Sequence, residues 1–125
     1  MNSYDGVENR NHQRFIAREG AFATLWPSFK KNGEMIDISE GGLAFCYFTN
    51  TVFKNGSKEV DIFLQDHSFY LDSLPCRIVY EIASPVNPSS TTETKVRVGV
   101  QFKDIDPGHL SRLNYFIQNY TVRDD

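Results

Sequence analysis

The chain has 125 residues, 40% of them hydrophobic, with 13 Lys and Arg against 16 Asp and Glu for a formal net charge of −3. That length suits one proper core and is short for two domains of roughly 100–150 residues each. The acidic balance speaks against a nucleic acid polymer as partner, because such affinity needs many Lys and Arg contacts that displace counterions.

Residues 1–13 are polar, charged and without periodicity, so a flexible N-terminal arm is expected there, with a single domain over 14–125. The arm shows no apolar core of a secretory leader, and no apolar run approaches the ~18 residues of a membrane span, which predicts a cytoplasmic protein without membrane insertion. An aromatic-rich run to Phe29, a turn at Lys31-Asn32-Gly33 and a short apolar segment ending near Ile38 read as strand, turn and strand. After a glycine pair, "GLAFCYFT" is apolar on both faces, as in a strand covered on both sides. "EVDIFLQDHSFYLDSLPCRIVYEIA" divides into two strand regions at Gln65-Asp66-His67-Ser68, the second with a bend or bulge near Pro75, and "SPVNPSSTTET" reads as a surface loop.

The clearest period is "KVRVGVQFK", where Val96, Val98, Val100 and Phe102 alternate with polar residues and Gly99 as in a half-buried antiparallel strand. Asp106 as a cap, Pro107 at the first helical position, and Leu110, Leu113, Ile117 and Tyr120 at helical spacing predict a C-terminal amphipathic helix. The sum is an all-β fold: a six-stranded antiparallel β-barrel with a C-terminal α-helix and a flexible arm.

Cys46 and Cys76 lack CxxC spacing, and His12, His67 and His109 are scattered, so reduced thiols and no metal or cofactor are expected. No GxSxG elbow surrounds Ser39 and no GxxxxGKS is present, which argues against an enzyme.

Two stretches carry binding chemistry. In "RNHQRFIAR", Arg10 and Arg14 fall four residues apart, so a helical turn would place them on one side. In "IDISEGGLAF", an acid, a hydroxyl and two glycines crowd together. Guanidinium forks match phosphate oxygens and the O6/N7 edge of guanine. Asp37 offers an acceptor for guanine N–H donors, Ser39 a hydroxyl for phosphate or a purine edge, and Gly42 room for close approach. The bland alternatives are a solvated basic arm and a turn capped by Asp37 and Ser39.

Read together, Arg10-Asn11-His12-Gln13-Arg14 followed by Asp37-Ile38-Ser39-Glu40-Gly41-Gly42 resembles the PilZ domain signature, RxxxR and then [D/N]xSxxG. The resemblance runs from about Glu8 to about Tyr120 and includes "RVGVQF" and the helix after it. It implies a stand-alone receptor for cyclic di-GMP, in which Arg10 and Arg14 grip guanine edges and phosphates, Asp37 and Ser39 contact the ligand from the barrel, Gly42 shapes the loop, and Gly99 leaves room for a purine. The arm would close over the ligand and the signal would pass to a protein partner in trans, the receptor being a monomer or weak dimer. Asn9 stands where many family members carry another arginine, which leaves the choice between one ligand and a stacked pair open. The alternative is a PilZ-like protein-interaction barrel that binds no nucleotide; a single-strand nucleic acid binder would need a basic groove with aromatic platforms.

Overall fold

The computed structural model describes residues 13–26, 32–49, 58–87 and 90–122. Its elements are β1 (Phe15–Ala17), β2 (Ala21–Trp26), β3 (Gly33–Ile38), β4 (Gly42–Thr49), β5 (Glu59–Leu64), β6 (Tyr70–Asn87), β7 (Ser90–Phe102), α1 (Pro107–Asn119) and β8 (Thr121–Val122). Strands run in the order β2-β5-β6-β7-β4-β3, and β3 pairs back onto β2 through Phe22↔Glu34 and Ala23↔Gly33. The six main strands therefore form the expected closed antiparallel barrel.

Strand alternation explains the core. Val96, Val98, Val100 and Phe102 of β7 are buried, while Lys95, Arg97 and Gln101 face out. Phe45, Leu25, Ile62, Leu64 and Leu74 fill the interior with essentially no exposure, each burial contributing about 1.5–3 kcal/mol before conformational entropy is subtracted. The helix closes onto this core. Asp106 caps it by accepting from the His109 N–H at 2.8 Å, Pro107 opens it, and Leu113, Phe116 and Ile117 are buried among the barrel side chains. Leu110, which the spacing assigned to the apolar face, is 36% exposed; the covered stripe runs instead through 113, 116, 117 and 120.

The Ser/Thr-rich stretch is not a loop. β6 and β7 continue as a two-stranded ribbon, with Ser84↔Lys95, Pro85↔Thr94 and Asn87↔Ser90 paired, and residues 84–86 are exposed. Pro85, which cannot donate to a ladder, sits next to an irregularity between Pro85 and Asn87. The expected irregularity near Pro75 falls at residues 72 and 73. Leu71 and Leu74 oppose Ile62 and Val60, and Ser73 takes φ 62°. Buried Asp61 holds this bulge: its Oδ1 accepts from the Ser73 N–H at 2.9 Å, and its Oδ2 accepts from Trp26 Nε1 at 2.7 Å and Tyr70 Oη at 2.6 Å.

Gly33 is the first residue of β3 rather than part of a turn, and a Cβ on it would overlap the Phe45 ring. Residues 27–29 of the expected strand run, Lys31 of the expected turn and Arg10 of the arm lie outside the described residues.

Candidate functional site

β1 begins directly after Arg14. It is a strand, not a continuation of a helical turn, because it is held on both sides: Phe15↔Ile38 and Ile16↔Asp37 join it to β3, and Ile16↔Val122 and Ala17↔Thr121 join it to β8. That pairing carries Arg14 onto the loop after β3. Arg14 Nη1 donates to Ser39 Oγ at 3.2 Å, and Arg14 Nε lies 3.2 Å from Asp37 Oδ1. The charges attract at this distance, yet the N–H is not aimed at the oxygen, and Oδ1 is buried with no hydrogen bond among the described residues.

The loop that receives Arg14 is tied internally. Ser39, 1% exposed, accepts from the Gly41 N–H at 3.0 Å through Oγ, and its own N–H donates to the Gly42 carbonyl at 2.8 Å. The Gly41 carbonyl in turn accepts from the Phe102 N–H at 2.9 Å, anchoring the loop to β7. Gly42 is required by the sheet: a Cβ there would overlap the Val100 carbonyl oxygen on the neighbouring strand.

Beside the loop an open groove of about 950 Å³ runs over the outer face of β4, β7 and β6. Arg14, Arg77 and Arg97 line it together with Asp37, Glu40 and Asp104, so among the described residues three positive groups stand beside three negative ones. Gly99 also lines it. Two bulges bring the polar groups to this face. Met35 opposes Phe45 and Asp37 opposes Ala44, so the extra residue Ile36 turns Asp37 outward instead of into the core. On β6, Ile78 opposes Val100 and Tyr80 opposes Gly99, so the extra residue Val79 puts Tyr80 on the same face as Arg77. Among the described residues no cluster of His, Cys, Asp or Glu could hold a metal ion, and no helix is long and apolar enough to cross a membrane.

The PilZ domain model matches residues 8–119. The chain belongs to the PilZ family. Solved structures with the same fold include "PilZ domain with c-di-GMP of YcgR from Escherichia coli", at 15% identity and TM-score 0.60 over 90% of this chain and 92% of that one. Another is "Structure of K. pneumonia MrkH-c-di-GMP complex", at 17% identity and TM-score 0.64 over 90% of this chain and 52% of that one, so the chain spans about half of MrkH. No curated protein sequence matches.

Of the residues singled out from the PilZ signature, Arg14, Asp37 and Ser39 meet in one contact, Gly42 and Gly99 line the groove, and Arg10 lies outside the described residues. The space above Gly99 is filled by the Tyr80 ring, into which a Cβ would project. Arg77, Tyr80 and Arg97 were not singled out in the sequence. Arg77 donates through Nε to Gln101 Oε1 at 2.8 Å, and Arg97 through Nε to Tyr80 Oη at 3.1 Å, a bond that raises the Arg97 pKa further. The alternation of β7 was enough to place Arg97 outside the barrel; what it lacked was the identity of the strands that share the face. Arg18 lies outside the groove, over the Tyr120 ring at 5.2 Å and 3.7 Å from Asp66.

Proposed function

We propose that the chain is a receptor for cyclic di-GMP, not an enzyme, which acts in the cytoplasm and passes its signal to a protein partner in trans. The observation that carries the reading is the meeting of Arg14 with Asp37 and Ser39 at the rim of a groove lined by Arg77 and Arg97. A purely basic cleft would suit any polyanion. A groove whose described lining mixes arginines with carboxylates suits a ligand that presents phosphate oxygens and guanine N–H donors together. Asp37 Oδ1 has no hydrogen bond among the described residues, so it is the acceptor a guanine donor would satisfy once Arg14 turns toward the ligand. Structures of YcgR and MrkH with c-di-GMP share the fold, which makes this ligand the first to test.

In this reading Arg10 and Arg14 grip the ligand's guanine edges and phosphates, Asp37 accepts from guanine, and Arg77 and Arg97 offset phosphate charge. Ser39 and Gly42 act by shaping the loop, since Ser39 is buried and Gly42 faces the Val100 carbonyl. Ordering the arm over the ligand costs conformational entropy, so a dissociation constant on the order of micromolar or somewhat below is expected. Isothermal titration with cyclic di-GMP, with GTP and cyclic GMP as controls, measures binding, selectivity and stoichiometry together. Saturable binding of cyclic di-GMP, weakened about 5- to 150-fold by Arg14→Ala, supports the reading. Absence of heat with the parent protein would leave the protein-interaction barrel as the function.

A further inference from the structure

The groove contains an aromatic side chain held in place by two neighbours. The Tyr80 ring lies over Gly99, where any β-carbon would collide with Cε2, Cζ and Cδ2, and its hydroxyl accepts from Arg97 Nε at 3.1 Å. The Val79 bulge turns Tyr80 to this face, and Val79 itself lines the groove beside it with 57% of its surface exposed. Tyr80 is half-buried, so part of the ring remains open to the groove. A ring over a strand glycine is also a packing device that compensates for the missing side chain. Packing alone does not call for the neighbouring arginines and the unfilled volume, whereas a ring fixed next to cationic groups in a groove is a surface on which a flat base can lie.

We propose that Tyr80 is a ligand-binding residue, the platform on which one purine base of the ligand stacks, with Gly99 and Arg97 as positioning residues that seat and orient its ring. The inference rests on the receptor reading above and adds to it a stacking subsite on β6 and β7, separate from the Arg14–Asp37 contact.

The test is a titration of the full chain and three variants with cyclic di-GMP, followed by calorimetry and by the proton resonance of guanine H8. Tyr80→Phe keeps the ring and is expected to bind within about 3-fold of the parent. Tyr80→Ala is expected to weaken binding about 5- to 150-fold, the range for loss of one base stack. An upfield ring-current shift of H8 is expected in the parent and Tyr80→Phe and should vanish in Tyr80→Ala, which a merely structural role would not produce. Tyr80→Leu fills the space above Gly99 without an aromatic face, so it carries the same expectation if the alanine variant melts. If the parent binds and Tyr80→Leu binds equally well with the same H8 shift, the platform is wrong while the receptor reading stands. If the parent does not bind, both are overturned.

Discussion

Ile16 of β1 sits directly opposite Asp37 of β3, and this one register places Arg14, two residues upstream, against the Asp37 carboxylate and the Ser39 hydroxyl. A slip of one residue would turn Arg14 to the other side of its strand. One register thus joins Arg14, from the first half of the sequence signature, to Asp37 and Ser39 of the second.

That contact is measurable without ligand. Arg14 and Asp37 are 32% and 22% exposed, so their pairing falls between a surface and a buried ion pair. A double-mutant cycle with Arg14→Ala and Asp37→Ala, read by urea denaturation, is expected to return a coupling of about 0.3–1 kcal/mol that shrinks in high salt. A coupling of zero at low salt would mean that the pair contributes nothing to holding the loop.

Ser39→Ala tests the loop itself. The substitution removes the acceptor of the Gly41 N–H and the partner of Arg14 Nη1, and is expected to cost about 1–2 kcal/mol of folding stability. Unchanged stability would show that backbone bonds alone, from Ser39 N–H to Gly42 and Phe102 N–H to Gly41, keep the loop in place.

Gly42→Ala should be worse. Its Cβ would meet the Val100 carbonyl, a backbone atom that cannot swing aside, and opening the β4–β7 ladder to admit it costs about 1–3 kcal/mol or more. Thermal melts of the free variant check this; a melting temperature equal to that of the parent would contradict the tight approach of the two strands.

Alkaline pH should weaken the fold through two tyrosines. Tyr70 is pushed up to about 12 mainly by its hydrogen bond to Asp61, and Tyr47 is pushed up to about 12 mainly by burial. In each case the folded state prefers the neutral phenol. Their contribution is therefore complete below pH 10, the ordinary tyrosine value, and is lost as pH rises toward about 12. Urea denaturation at stepped pH, with absorbance at 295 nm, should show this decline, and Tyr70→Phe should make it shallower while Tyr47 retains its share. A Tyr70→Phe curve parallel to that of the parent would rule out the Asp61 bond as a cause.

Cys76 offers a simpler check. Burial pushes its thiol up to about 12, so alkylation at neutral pH should proceed only as the protein unfolds. Rapid modification of the native protein would show that this side of the barrel opens locally.

The sequence alone determined whatever depends on neighbouring residues. Alternation fixed the faces of Val96 to Phe102 because a strand repeats every two residues, and Asp106-Pro107 marked the helix start because a cap and a preset φ act locally. The signature residues could be named for a similar reason, since their types and spacing carry the chemistry. The tertiary structure decided which groups share a face. Ile36 and Val79 are bulge residues, and nothing in their local pattern announces the extra step that turns Asp37 and Tyr80 toward the groove. The ribbon of β6 and β7 looked like a loop because its Pro, Asn and Ser residues are turn signals, overridden by pairing between the two segments. β1, three residues long, is a strand because β3 and β8 hold it from opposite sides, and β8 lies more than a hundred residues along the chain. Register between strands is a property of the folded sheet, set by which ladders close and where they slip, so the groove exists only once the barrel does.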